Sequence, residues 1–240
     1  MSFRLSRTFA LAVFPAVCAM FPVVAVAQAP DGKLAERAQK AGEILAELVR
    51  EPDHSPPRSL LRNATCVAVV PNVLQVGLGV GGKAGFGLAS CRTATGWSLP
   101  TYMALKGGTF GFQIGGQSAD VVLVFMNKDA PRQIGSSSFD LGGQASIAAG
   151  PVGRNLSAET DYKLNAEIYS YSKTKGLFAG ITLSGTKWEI DSKANRAAYG
   201  KATDVDVTEL LTTSGDRAPE VVRPFLTSLQ QNVGPQGGAE

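Results

Sequence analysis

A glycine-rich stretch from Gly77 to Ala84 comes closest to a known chemical motif. It reads Gly-Leu-Gly-Val-Gly-Gly-Lys-Ala, which satisfies G-x-G-x-x-G and most of the phosphate-loop pattern G-x-x-x-x-G-K. A phosphate loop joins a strand to a helix N-terminus and needs a Ser or Thr hydroxyl for magnesium, where this sequence has Ala84. Here the glycines alternate with bulky residues and another glycine-rich strand follows. The pattern therefore favours a tight hairpin in a curved sheet, and we expect no nucleotide to bind.

The other chemistry-bearing residues do not form a catalytic set. The single histidine, His54, lies in a segment broken by prolines, which argues against a histidine metal cage or a Ser-His-Asp triad. Carboxylate pairs, Glu159 with Asp161 and Asp204 with Asp206, lie in polar stretches typical of solvated surface. We therefore expect no enzymatic activity and no cofactor.

The N-terminal segment predicts export. Arg4 and Arg7 precede an uncharged apolar run over residues 8–24, which ends in the small residues Ala25-Val-Ala27. This is the pattern of a secretory signal peptide cleaved after Ala27, and it places the mature protein in the periplasm. An uncleaved anchor is the alternative, because the run approaches spanning length. Cleavage lowers the formal net charge from +3 to +1, so no basic surplus remains for nucleic acid.

Two cysteines remain after the signal peptide, Cys66 and Cys91. An even pair in an exported chain predicts a disulfide, which would close a loop of about 26 residues and add roughly 3 kcal/mol of stability. Two buried free thiols are the alternative.

The first element after the signal peptide is an amphipathic helix over residues 33–50. Its apolar residues recur at steps of three and four, namely Leu34, Ala38, Ala41, Leu45 and Leu48. Mixed charges on the outer face, with no bulky aromatic residue beside the apolar stripe, favour packing on the domain's own core over a membrane surface. Residues 51–58 contain three prolines and form a linker.

From Cys66 onward the hydrophobic period becomes two, as expected for strands. Of the 27 glycines, 12 lie between Gly77 and Gly116, and the spacers between strands are too short for crossover helices. The fold class is therefore α+β and β-rich, with a curved antiparallel sheet or partly closed β-barrel. Short helices are predicted over 203–211 and 219–230. The organisation is a signal peptide (1–27), helix and Pro-rich linker (28–57), β-rich domain (58–232) and disordered tail (233–240).

Five phrases, taken in order and together with Tyr199-Gly200, resemble the SYLF domain family of lipid-binding and yeast-type actin-binding domains. They are Cys66-Val-Ala-Val-Val-Pro71, Gly96-Trp-Ser-Leu-Pro100, Gly107-Gly-Thr-Phe-Gly-Phe-Gln-Ile-Gly115, Ala148-Ala-Gly-Pro-Val-Gly-Arg154 and Tyr169-Ser-Tyr-Ser-Lys-Thr-Lys-Gly-Leu-Phe-Ala-Gly180. The resemblance covers residues 35–212. It implies a β-rich domain without enzymatic activity that binds membrane lipids, in eukaryotes phosphoinositides or phosphatidic acid.

The sequence departs from this family at several positions. Gln144 stands where similar sequences often carry an acid, Ser184 replaces a frequent Glu, and Lys173 and Lys175 replace arginines. Lysine keeps the charge but lacks the planar fork that binds phosphate with two hydrogen bonds, so headgroup selectivity is expected to differ. Because an exported protein would not meet actin, we expect actin not to be a partner.

These observations predict an exported lipid-binding protein that associates with anionic phospholipid membranes. The basic residues Arg154, Lys173 and Lys175 are expected to attract a phosphate headgroup, and Tyr169, Tyr171 and Phe178 to lie at the membrane interface. The alternative is a structural or protein-interaction module of the cell envelope.

Overall fold

The fold is α+β, as predicted, and the sheet is strongly curled into a half-barrel. The structure is a computed structural model that describes residues 30–51, 55–152, 166–174, 177–178, 183 and 185–234. The strands of the described part are β1 (Cys66–Thr93), β2 (Gly96–Trp97), β3 (Thr101–Phe125), β4 (Ser138–Leu141), β5 (Ile147–Ala149), β6 (Ile168–Thr174), β7 (Leu177–Phe178) and β8 (Thr186–Ile190). Its α-helices are α1 (Pro30–Arg50), α2 (Arg58–Asn63), α3 (Ala130–Gly135), α4 (Ser192–Tyr199), α5 (Val207–Thr212) and α6 (Arg223–Asn232).

Two long strands, β1 and β3, pair antiparallel along nearly their whole length and form what we call the β1–β3 ribbon. The predicted hairpin at Gly77–Ala84 is therefore wrong, because one 28-residue strand runs past Pro71 and through these residues. The register shifts between Val70 and Val73, so an irregularity in the pairing accommodates the proline, which has no N–H to donate to the ladder.

The β1–β3 ribbon curls so far that its two halves cross. Gly87, in the second half of β1, lies against the backbone of Val69 in the first half, and a Cβ there would be 2.1 Å from the Val69 carbonyl oxygen. The predicted disulfide between Cys66 and Cys91 is present and joins the two ends of β1. Glycines thus permit close packing of the sheet on itself, as the sequence pattern indicated.

The second edge of β3 is shared by two strands. β8 pairs with its beginning, from Met103 to Gly107, and β6 pairs with its end, from Asp120 to Phe125. β5 pairs with β6 in parallel, so the sheet is mixed where a purely antiparallel one was predicted. Among the described strands, the middle of the ribbon pairs only with itself.

At the ends of β1 and β3, both faces of the sheet are buried, each in its own hydrophobic cluster. Val67 and Val69 of β1 point to a cluster with α1 and α6, whereas the alternate residues Ala68 and Val70 point to a cluster with α3, α5 and β8. At the end of β3, residues 121–125 are all buried, because both faces of the strand are covered.

The N-terminal helix α1 packs on the domain's own core, as predicted. All five residues of its expected apolar stripe are buried. At its crossing with α6, Gly42 admits a close approach, and the Ser228 hydroxyl donates a 2.6 Å hydrogen bond to the Gly42 carbonyl. No helix among the described residues is long and apolar enough to cross a membrane.

The remaining helices differ in detail from the predictions. Helices α3 and α4 were not predicted, and α5 begins at Val207 because the Asp206 side chain accepts hydrogen bonds from the backbone N–H groups of Thr208 and Glu209. The expected helix over 219–230 divides into a short 3-10 turn, Glu220–Val222, and α6.

Candidate functional site

The structure describes the side chains of three of the six predicted lipid-contact residues. Arg154, Lys175 and the side chain of Phe178 lie outside the described part of the chain. The other three, Tyr169, Tyr171 and Lys173, are on β6.

Both tyrosines are buried in the core, whereas the sequence predicted that they lie at a membrane interface. They lie two residues apart and therefore on the same face of β6, which the cluster containing α1 covers. The Tyr171 hydroxyl donates a 3.0 Å hydrogen bond to the Pro151 carbonyl, and the Tyr169 hydroxyl accepts one from the backbone N–H of Ala166. Burial raises the pKa of Tyr171 above its usual range.

Lys173 forms an ion pair with Glu47 of α1. The lysine side chain is mostly buried, whereas the glutamate is half-exposed. Lys173 therefore connects the end of β6 to the N-terminal helix, whereas the sequence predicted a lysine that binds a phosphate headgroup.

Among the side chains that the structure describes, the largest group of exposed apolar ones lies on the β1–β3 ribbon. Leu74, Val76, Val80 and Phe86 are 52%, 48%, 69% and 46% exposed, and we call these four residues the ribbon face. All four are even-numbered and so point to one side of β1, while the odd-numbered Lys83, Gly85 and Gly87 are buried on the other.

The sequence showed the alternation of bulky and glycine positions but not which side faces outward. The glycine positions could have indicated the inner side, because the side of β1 that packs closely on the other half of the ribbon has no room for Cβ atoms. The side of β1 that carries the bulky residues is consequently exposed.

Helix α1 anchors the base of the ribbon face. The Arg37 guanidinium lies 5.1 Å from the Phe86 ring centre and 5.5 Å from that of Tyr102, and it forms a 3.1 Å ion pair with Asp191. The Tyr102 hydroxyl donates a 3.0 Å hydrogen bond to the Leu34 carbonyl, and burial raises the pKa of this phenol above its usual range. These contacts hold the base of the ribbon in a fixed orientation.

Three lysines lie near the ribbon face in different environments. Lys83, the lysine of the phosphate-loop-like pattern, is buried on the inner side of β1, and burial lowers its pKa. Lys106 pairs in register with Ala84 and with Lys187 on β8, and both lysines are exposed. Lys106 also forms a 2.6 Å ion pair with Glu189. The glycine pattern is thus part of strand β1, and Lys83 does not belong to a phosphate-binding loop.

A curled half-barrel with a packed N-terminal helix and an exposed ribbon defines an α+β domain of the SYLF class. Residues 106–232, more than half of the chain, match the family described as "Ysc84: Las17-binding protein actin regulator". The chain belongs to this Ysc84, or SYLF, family, as the sequence phrases indicated.

Several eukaryotic proteins are similar to the chain. "SH3 domain-containing YSC84-like protein 1" of Xenopus laevis is 32% identical over 185 residues, which cover 74% of this chain and 55% of the relative. "LAS seventeen-binding protein 3" of Saccharomyces cerevisiae is 30% identical over 209 residues, 83% of this chain and 45% of the relative. "Protein YSC84" of the same yeast is 29% identical over 209 residues, 83% and 44%. The chain spans about half the length of these curated relatives.

These names correct the expected partners. The prediction that actin is not a partner, and that lipids are the only one, is wrong, because the family is described as a Las17-binding actin regulator and one relative is named for binding Las17. The prediction had relied on export, which excluded contact with actin.

Proposed function

We propose that the chain is a non-enzymatic binding domain that attaches to anionic phospholipid membranes through the ribbon face. The observation that supports this is the exposure of Leu74, Val76, Val80 and Phe86 on one side of one ribbon. Grouped exposed apolar side chains mark membrane or protein contact sites, whereas single ones need no explanation. Transfer of each half-exposed side chain into a bilayer boundary contributes about 1 kcal/mol.

The charges at the base of the ribbon favour an anionic surface only weakly. Lys106 and Lys187 can reach lipid phosphates while their alkyl chains cover apolar surface. Glu189 and Asp140 lie next to these lysines, since Glu189 pairs with Lys106 and Asp140 is in register with Lys187. Apolar insertion is therefore the main contribution, and binding should be modest with a small dependence on salt.

Two further expectations belong to the proposal. Absence of enzymatic activity rests on the missing catalytic set in the sequence, and within the described residues no group of three or more metal-ligating side chains occurs. Export to the periplasm rests on the N-terminal pattern alone. N-terminal sequencing of the protein from a cell fraction tests export, and a first residue before Gln28 would contradict cleavage after Ala27.

Vesicle flotation with a matched control tests the membrane proposal. Leu74→Ser with Val80→Ser removes two exposed apolar side chains and should weaken binding to phosphatidylglycerol-containing vesicles about 10-fold or more. Val152→Ser is the control, because Val152 is 47% exposed but lies outside the ribbon. Equal binding by both variants and the parent protein would exclude the ribbon face.

Tryptophan fluorescence gives a second readout of insertion. The native Trp97 and Trp188 are 3% and 0% exposed, so vesicles should leave their emission unchanged. Val80→Trp adds an exposed indole on the ribbon face, and its emission should shift to the blue when vesicles are added. No shift, despite flotation with vesicles, would mean that another surface binds the membrane.

A protein partner of the actin-regulatory kind is the second candidate function, favoured by the family description and the relatives' names. Co-sedimentation with filamentous actin tests one such partner. Loss of co-sedimentation in the Leu74→Ser/Val80→Ser variant, together with no vesicle binding by the parent protein, would assign the ribbon face to a protein instead of a membrane.

A further inference from the structure

A pocket of about 450 Å³ lies between the end of α1, helix α2 and the end of α6, away from the ribbon face. Its walls are formed by Val49, Arg50, Ser55, Pro56, Arg58, Leu61, Arg62, Gln231, Asn232, Val233 and Gly234. Residues 52–54, which connect α1 to Ser55, lie outside the described part of the chain.

The described lining residues of this pocket carry charge of one sign. Three arginines, Arg50, Arg58 and Arg62, line it, and none of the described lining residues is acidic. Glu51 lines the neighbouring groove between α1 and α6, which shares Arg50, Gln231 and Asn232 with the pocket. The full chain has a formal net charge of only +3, so this concentration of guanidinium groups is a local feature.

Electrostatic repulsion between two of the arginines destabilises helix α2. Arg58 and Arg62 are four residues apart on the six-residue helix α2, and like charges at this spacing repel each other on one helix face. Both side chains are exposed, and a bound anion would convert the repulsion into attraction.

A fourth arginine, Arg92, joins two walls of the pocket. The half-buried Arg92 donates hydrogen bonds to the carbonyls of Leu61, at 3.2 Å, and Gly234, at 2.6 Å, and so joins the wall formed by α2 to the end of α6. Its guanidinium lies 4.4 Å from the ring centre of Trp97. Its bonded partners in the described residues are carbonyls, so its positive charge adds to that of the pocket.

The geometry points to an anion-binding pocket for a phosphate group, held by Arg58 and Arg62 of α2 with Arg50 across from them. Planar guanidinium groups bind phosphate oxygens through paired hydrogen bonds, which a lysine cannot reproduce. The phosphate can belong to a phospholipid headgroup or to a soluble phosphate compound. The inference is independent of the ribbon face.

Calorimetric titration of the full chain with pyrophosphate tests the pocket. Arg58→Gln with Arg62→Gln should weaken binding about 10-fold to 100-fold, because two charge-assisted hydrogen-bonding groups are lost. Arg132→Gln with Arg217→Gln removes the same charge from exposed positions on other elements and should change binding less than about 2-fold. Removal of the like-charge pair should not unfold α2, and circular dichroism checks this.

Vesicles distinguish the two sources of phosphate. Vesicles with phosphatidic acid, which carries a phosphomonoester, are compared with vesicles of equal charge made with phosphatidylglycerol. Preference for phosphatidic acid that disappears in the Arg58→Gln/Arg62→Gln variant assigns the pocket to a lipid headgroup. Pyrophosphate binding that depends on these arginines, without such a preference, assigns it to a soluble compound.

Two results would overturn the inference: no pyrophosphate binding by the parent protein, or equal weakening by the pocket variant and its control. The Leu74→Ser/Val80→Ser variant should retain pyrophosphate binding. If the ribbon face does not bind membranes, pyrophosphate binding by the pocket is unaffected. The two proposals can therefore be contradicted separately.

Discussion

Gly87 lies where the two halves of the β1–β3 ribbon cross, and it shows how a single residue type permits the curled sheet. The nearest atoms to a Cβ at this position would be the carbonyl oxygen of Val69 at 2.1 Å and the Cα of Val70 at 2.8 Å. Both belong to the backbone of the opposite half, which cannot move without disturbing the ladder it forms with β3. The glycine excess of the sequence is thus required by packing at this point.

Gly87→Ala should therefore lower the free energy of unfolding by about 3 kcal/mol or more, as expected when an atom is forced into a packed core. Gly32→Ala on α1 is the control, because nothing lies within 4 Å of a Cβ there and the change should be neutral or slightly stabilising. Urea unfolding followed by circular dichroism measures both. Equal stability of the two variants would contradict the proposed crossing contact.

The elements differ in how far the sequence could predict them. The periodicity of α1 predicted its buried face, because a helix presents the same side to the core along its length. The length of β1 could not be predicted, since an irregularity carries the strand past Pro71 where a proline usually ends one. The orientation of Tyr169 and Tyr171 depends on what covers β6, and α1 is far from β6 in sequence. Local patterns contain no information on such long-range contacts.

The curled strand β1 is closed by its own disulfide, and this predicts an effect of reduction. Opening the bond between Cys66 and Cys91 should lower the free energy of unfolding by about 3 kcal/mol, since the unfolded chain regains the freedom of the loop. The fold should persist, because the strand ends are also joined by the hydrogen bond from the Arg92 N–H to the Thr65 carbonyl. Urea unfolding with and without dithiothreitol measures the difference.

The Cys66→Ala/Cys91→Ala variant is the control for reduction. It should match the reduced protein in stability and should not respond to dithiothreitol. A response of this variant would show that the reductant acts elsewhere.

At the scale of the whole molecule, the two hydrophobic clusters share one sheet. Alternate residues of β1 and β3 contribute to opposite clusters, as Val122 and Val124 do on one side and Val121 and Leu123 on the other. Loss of either cluster would expose one face of the same strands to water. The clusters should therefore unfold together, although α1 and α6 cover one and α3 and α5 the other.

Each cluster contains one of the two native tryptophans, Trp97 in the first and Trp188 in the second, which allows this cooperativity to be measured. Trp97→Phe and Trp188→Phe each leave a single reporter, and neither change removes a hydrogen bond, because neither indole N–H has a partner among the described residues. In urea, the fluorescence transition of each variant should coincide with its own circular dichroism transition. A fluorescence transition that precedes the circular dichroism transition in only one variant would show that the two sides of the sheet unfold separately, and would contradict a single cooperative unit.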